Sequence, residues 1–408
     1  MRRLGSAMKP RSTVPRGSAG GLRPDSHVPA LDGLRGLAII MVLFVHFIGN
    51  TRPGNAFELL LVKASNYGRY GVDLFFVLSG YLITGILYDS KGSTHYFRNF
   101  YMRRILRIFP LYYAVLFVLF IVLPLAPSLY PSGLQEASRY QAWIWPYGVN
   151  LFLAMRGWWE LPYISHFWSL AIEEHFYLCW PVVVGIASRN ALLRICAGCV
   201  LFSLVLRIVL LLAGANEISV YVLTPCRLDA LCTGGFLAIA SRSSLREPLT
   251  RTARSASLFL ATSILLVFVW SSTTRVLPAF FHPIRESLIA LFFGALLIVC
   301  VNAEPWDRIG RFFNRPGMRF FGKYSYGIYI FQGIIAYSLY DNQTENTVAG
   351  WVGSHLLAVF VQAAAGIGLS VLVAVVSYEW FERRFLQLKR WFGGDTAHAP
   401  APARNEAS

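Results

Sequence analysis

The 408-residue chain is 55% hydrophobic and 14% charged, and its formal net charge is +16 at pH 7. Soluble domains carry nearer a quarter charged residues, so this composition excludes an ordinary globular protein and points to a membrane class. The basic excess would suit nucleic acid only if it formed one patch, and its spacing along the chain rules that out.

A membrane-crossing helix needs about 20 mostly apolar residues. Such stretches occur at 34–49, 70–88, 109–126, 166–187, 191–213, 222–240, 256–272, 288–301, 324–340 and 354–378. The expected fold is therefore an all-α integral membrane protein with about ten transmembrane helices, the first and eighth extending beyond these bounds. With a cytoplasmic N-terminus, the inner segments hold 26 of the 37 Lys and Arg residues and the outer loops hold 7. That asymmetry follows the positive-inside rule and assigns both termini to the cytoplasm. Residues 1–28, basic and rich in Gly, Pro and Ser, read as a disordered cytoplasmic tail and not a cleaved signal. Residues 29–390 form the expected membrane domain, and 391–408, rich in Ala and Pro from Thr396, a second cytoplasmic tail. No soluble catalytic domain is expected after the membrane unit. There is no HExxH, no Cys/His set with zinc spacing and no phosphate-binding glycine loop, so no metal site is expected. Cys196 and Cys199 have CxxC spacing, which inside an apolar helix reads as packing.

Ionisable groups inside spans are costly and are the first candidates for function. The first span carries Asp32-Gly33-Leu34-Arg35-Gly36 at its inner end and His46 near its outer end. The eleven-residue separation of Arg35 and His46 is a rise of about 16 Å with both on one face. Separately, Arg35 could be a snorkelling anchor and His46 an interfacial side chain. The second span opens Tyr70-Gly71-Val72-Asp73, which puts Asp73 at about the depth of His46. Asp73 either caps its helix or orients His46 as a carboxylate orients a catalytic imidazole. Ser79 and Gly80 read as small residues for close helix packing.

Arg103, Arg104 and Arg107 follow in the next inner segment and would cluster on a helix. They suit either anchoring to anionic lipid or bidentate recognition of phosphate. In the fourth span His166, Ser169, Glu173 and Tyr177 share one face, and Glu173 and Glu174 are expected several residues below the outer surface. Arg227 and Asp229, two apart in the sixth span, cannot both enter one pocket from a regular helix. The Trp-rich segment 141–165 reads as an interfacial or re-entrant outer element, either an aromatic belt or a sugar-stacking lid.

The run Leu31–His46, the segment Asp73–Gly80, Arg104–Pro110 and Trp168–Tyr177, in this order over roughly residues 28–390, resemble the acyltransferase type 3 family. The resemblance implies a ten-helix domain of the bacterial inner (cytoplasmic) membrane that moves an acyl group, usually acetyl, from acyl-CoA to a hydroxyl. The implied acceptor is a carbohydrate or glycolipid such as a cell-surface polysaccharide, lipopolysaccharide or peptidoglycan, with a macrolide-type small molecule as the alternative. Carried over by position, His46 is the catalytic histidine and Arg35 its motif partner, while Asp73, Arg104, Arg107 and Glu173 match further family positions. With Arg103, Arg104 and Arg107 would bind the acyl-CoA phosphates. The late motif has Gln332 where the family often has histidine, and Glu382-Arg383-Arg384-Phe385 has Arg384 where proline is usual. A reading from another class, a proton-coupled transporter using His46, Asp73 and Glu173 as a relay, lacks the internal repeat and broken-helix pairs that often mark transporters.

The topology has a direct test. A reporter active only in the cytoplasm is expected to work when fused after Gly92, Ser244 or Arg390 and to be silent after Glu136 or Asn342; activity at Glu136 would overturn the helix count.

Overall fold

The computed structural model describes residues 28–274, 281–304 and 306–393. Among the described residues the regular structure is helical throughout, without strands. The helices that build the bundle are α1 (Pro29–Phe44), α2 (Gly71–Asp89), α3 (Tyr96–Phe117), α4 (Trp168–Ile186), α5 (Arg189–Leu212), α6 (Leu228–Ala240), α7 (Arg246–Thr274), α8 (Phe281–Val301), α9 (Pro316–Asp341) and α10 (His355–Ser377). Each expected span falls on one of them. Among the described residues six stretches are long and apolar enough to cross a membrane: Pro29–Gly49, Ala56–Asp89, Tyr96–Leu125, Arg189–Leu212, Pro283–Val301 and His355–Phe392. The chain is a multi-pass membrane protein. The tails expected at 1–28 and 391–408 lie outside the described residues, apart from Val28 and 391–393.

Local chemistry explains most boundaries. α1 starts at Pro29, whose missing N–H costs nothing in a first turn, and Asp32 lies in that turn, where negative charge is favoured. The helix then widens into a π turn, Val45–Gly49, that contains His46; such turns often occur at functional sites. The stretch expected as one span at 222–240 is interrupted. A short helix, Glu217–Val222, is followed by the tight turn Thr224–Cys226 containing Pro225, and α6 starts only at Leu228. Arg227 therefore sits outside the helix and can point away from Asp229.

Without a hydrophobic drive between helices in lipid, tight contact depends on small residues that let backbones approach. α1 meets α9 in this way. A Cβ on Gly36 would lie 2.1 Å from the Met318 carbonyl oxygen, and one on Gly322 would lie 1.9 Å from that of Asp32. α2 meets α6 reciprocally: a Cβ on Gly80 would be 1.8 Å from the Leu231 oxygen, and one on Gly234 would be 2.0 Å from the Val77 oxygen. Two backbone-to-backbone crossings thus hold the four helices that carry or flank Arg35, His46, Asp73 and Arg227. α7 packs along α8, and its Leu258, Phe259, Leu265 and Leu266 face outward.

The segment 141–165 forms two short helices, Gln141–Ile144 and Val149–Arg156. Eight residues rise only about 12 Å, too little to cross a bilayer. The segment is pinned sideways: Asn150 donates to the Val222 carbonyl at 3.3 Å and to Thr224 Oγ1 at 3.0 Å, and Tyr147 stacks on Tyr112 with centroids 4.1 Å apart. Arg156 and Glu160 pair across the turn that carries Trp159, and the guanidinium holds the Glu160 carboxyl below the usual carboxylate range.

Adding one methyl at a crossing should force helices apart. Gly80→Ala and Gly234→Ala are each expected to destabilise the protein by about 1–3 kcal/mol, read as a lower melting temperature in detergent. Gly317→Ala, where nothing lies within 4 Å, should leave it unchanged; equal effects at all three would argue against backbone contact as the constraint.

Candidate active site

The His46 end of α1 opens into a cavity of about 790 Å³. Trp159, Tyr163, Trp168, Tyr221 and Tyr337 supply aromatic walls, and Arg69, Arg285, Asn66 and Gln362 supply polar ones. Of the tryptophans in 141–165, Trp159 alone lines this space. The cavity therefore combines stacking faces with hydrogen-bonding groups, a lining that suits a sugar-sized polar molecule.

His46 lies in the wall of this cavity. Its Nδ1 is 2.9 Å from the Val42 carbonyl oxygen. A carbonyl can only accept, so Nδ1 carries the proton and Nε2 is left as a basic nitrogen. A second imidazole, His166, stands edge-on with its centroid 6.4 Å away, and its Nε2 donates to the Ile330 carbonyl at 3.1 Å. Gly333 makes the room for it, because a Cβ there would be 2.3 Å from His166 Nδ1. The Tyr329 hydroxyl donates to the His166 carbonyl at 2.8 Å and accepts from Ser169 at 2.5 Å. Sequence reasoning placed His166 and Ser169 on the polar face of the fourth span, but without α1 and α9 it had no means of seating His166 beside His46.

The expected pairing of Asp73 with His46 is not formed. Asp73 is buried and ion-paired with the buried Arg227, which also holds Glu286 at 3.1 Å. Asp73 does not line the cavity. An arginine from the interrupted sixth span reaches the carboxylate instead. The expectation for Arg227 and Asp229 assumed a regular helix; the helix starts only at Leu228, and the two side chains take different partners. Asp229 accepts from Arg207 at 2.7 Å and from Ser287 at 2.8 Å. Glu286 also takes Arg285 at 2.9 Å. Asp73, Asp229 and Glu286 thus form a buried network with Arg207, Arg227 and Arg285 that joins α2, α5, α6 and α8.

The Arg35 end of α1 holds a different cluster. Arg35 bonds Asp32 at 3.0 Å and is within electrostatic reach of Arg107 and Tyr177. Lys389 joins from the chain end, interacting with Arg35, Arg103, Arg104 and Arg107. Glu173 belongs here and not with His46. Its Oε1 accepts from Ser79 at 2.5 Å, Tyr177 donates to the same Ser79 oxygen at 2.9 Å, and Arg104 lies 5.9 Å from the Tyr177 ring centroid. The sequence had put both carboxylates of the fourth span in the outer half. Arg104 Nε and Glu174 Oε1 are buried without a protein partner. Gly80 packs as expected, whereas Ser79 additionally bonds Glu173.

Removing Arg227 would strand the buried Asp73 carboxylate and leave Glu286 to Arg285 alone. Arg227→Ala is expected to cost about 3–5 kcal/mol, and Arg227→Lys should recover part of this. Thermal unfolding checks both; a wild-type melting temperature for Arg227→Ala would show the network to be dispensable.

No solved structure matches this chain. Among curated proteins, YrhL of Bacillus subtilis (strain 168), named provisionally as a peptidoglycan O-acetyltransferase, is 31% identical over 88% of this chain and 54% of its own length. OatA of Listeria monocytogenes, named a peptidoglycan O-acetyltransferase, is 29% identical over 74% of this chain and 48% of its own. A Staphylococcus aureus (strain COL) protein named provisionally as an O-acetyltransferase is 26% identical over 88% and 57%. The chain spans about half the length of these relatives. The sequence profile of the acyltransferase type 3 family, described as an acyltransferase domain, matches residues 28–379, and the chain belongs to that family.

Proposed function

We propose that the protein is a membrane O-acetyltransferase that moves an acetyl group from acetyl-CoA, bound at the cytoplasmic face, to a hydroxyl of a cell-wall saccharide in the outer cavity. In this reading both termini are cytoplasmic and about ten helices cross the bacterial cytoplasmic membrane. The single observation that carries it is the placement of His46: its Nδ1 proton is held by the Val42 carbonyl and Nε2 is free in the wall of a large, aromatic, polar cavity. The names of the relatives support acetyl as the group and a peptidoglycan-like glycan as the acceptor.

Arg103, Arg104, Arg107 and Lys389 bind the CoA phosphates, and the unpartnered Nε of Arg104 supports a ligand there. The pantetheine arm extends along α1 past Arg35 to His46, a rise of about 16 Å. The acceptor hydroxyl gives its proton to His46 Nε2 as its oxygen attacks the thioester carbonyl. The tetrahedral intermediate collapses, the C–S bond breaks, and the proton on His46 passes to the departing thiolate to release CoA. Glu173 positions Ser79 and Tyr177 beside the donor arginines. Asp73, locked to Arg227, supports the frame and does not touch the reacting atoms.

His46→Ala should lower turnover by about 10²–10⁴ in a protein that still folds. Asp73→Asn should act independently, so the losses in the double variant should multiply; a double variant no slower than His46→Ala would restore Asp73 to the proton-transfer step. Arg104→Ala should raise the KM for acetyl-CoA with little change in the acceptor KM. The assay is thiol release by the purified protein with and without a peptidoglycan fragment, and full activity in His46→Ala would overturn the mechanism.

A further inference from the structure

The large cavity adjoins a second one of about 360 Å³, and both are lined by Asn66, Arg69 and Arg285. The chemistry changes across this shared wall. On one side stand His46 and the aromatic, hydrogen-bonding surfaces described above. On the other, Ile264, Val267, Leu288 and Ile289 form an apolar groove between α7, α8 and the turn Asn66–Tyr70 that leads into α2. The groove lies beside a helix whose other apolar residues face outward, at the edge of the bundle that meets hydrocarbon.

The wall itself is cationic. In the buried network three carboxylates meet three guanidiniums. Arg69 adds a fourth: it is exposed, its side chain donates to the Tyr70 hydroxyl at 3.3 Å, and it has no carboxylate ion pair among the described residues. Arg69 and Arg285 lie 5.2 and 5.9 Å from the same Tyr70 ring centroid, so the two guanidiniums share one small region. Glu286 pairs with Arg285 and also attracts Arg69, so the two guanidiniums together keep one positive charge in excess, a group suited to a phosphate. A pocket suited to a sugar, a cationic wall and an apolar groove thus adjoin one another.

We infer that the acceptor reaches this site as a saccharide carried on a lipid phosphate. The sugar occupies the large cavity toward His46, the phosphate or diphosphate bonds Arg69 and Arg285, and the hydrocarbon tail lies in the groove against Ile264 and Leu288. This rests on the acetyl-transfer reading for what happens to the sugar, but the binding site stands on its own geometry. A polymeric glycan already free of its lipid would have no use for the groove, and a neutral glycolipid none for the arginines.

The test uses the full chain in phosphatidylcholine nanodiscs with farnesyl diphosphate, farnesol and inorganic diphosphate as probes, read by calorimetry. Farnesyl diphosphate is expected to bind at least about tenfold more tightly than either fragment. Arg69→Ala, which removes a charge-assisted hydrogen bond, and Ile264→Trp, which fills the groove, should each weaken it by about tenfold or more. Thermal stabilisation by CoA serves as the fold check for both variants. Farnesol or inorganic diphosphate binding as well as the whole probe would overturn the inference, as would probe binding indifferent to both variants. Displacement of the probe by phosphatidylglycerol in the nanodisc would also overturn it, because the groove would then be a site for bulk anionic lipid. Since binding is read without turnover, a parent protein that transfers no acetyl would sink the proposed function alone. One that transfers acetyl but ignores the probe would sink this inference alone.

Discussion

A guanidinium with no solvent exposure is tolerated only where carboxylates meet it, and Arg227 meets two, Asp73 from α2 and Glu286 from α8. Each charge left unpaired in such surroundings costs several kcal/mol. The positions of α2, α8 and the turn before α6 are therefore coupled: moving α2 away would leave Asp73 unmatched, and moving α8 away would take Glu286 from Arg227. Arg207 extends the same constraint to α5 through Asp229 and Ser287. The wall of the large cavity that holds Glu286, Arg285 and Tyr221 rests directly on this network. Buried ion pairs add little net stability compared with apolar packing, but they do select one arrangement of helices when breaking them is this costly.

α1 ties that frame to the chemistry. Its glycines bring the α9 backbone into contact at one end, and its π turn presents His46 at the other. The same helix thus links two clusters of opposite character: guanidiniums with one lysine around Arg35, and imidazoles with aromatic groups around His46. On the proposed reading a large anionic donor is held at one end and a sugar hydroxyl at the other, and the single helix between them sets the distance the acyl arm would cover. Preorganisation of this kind reduces what has to move when both substrates are bound.

The helical class and the position of each long helix were legible because apolar length is a local property. The shared face expected for Arg35 and His46 assumed a regular α-helix, whereas His46 lies in a π turn. The arginine cluster at 103–107 was legible, being local in sequence. The partner of Asp73 was not. Asp73 and Arg227 are 154 positions apart, and the arginine becomes available only because Pro225 interrupts the sixth span. Depth in the membrane placed Asp73 near His46, but depth carries no information about azimuth, so a carboxylate at the right height could face the wrong neighbour. Glu173 shows the same limit: its height suggested the outer half, whereas its direction led to Ser79 and the arginine cluster.

Hydropathy and the distribution of charge settled that the chain enters the membrane many times, because the cost of burying a polar backbone or a bare charge is paid locally, residue by residue. The chemistry-bearing residue types and the reach of α1 between them were equally local, and the order of the motifs was enough to place the chain in its family. Which polar groups touch was decided only by the tertiary structure. Lys389 completes the basic cluster from the far end of the chain, His166 stands beside His46 because Gly333 on another helix leaves it room, and Arg69 and Arg285 both lie beside the Tyr70 ring from separate segments. A polar side chain in a membrane domain is satisfied by whichever complementary group the packing brings within about 3 Å, and helix packing is a property of the whole bundle that no single stretch of sequence contains.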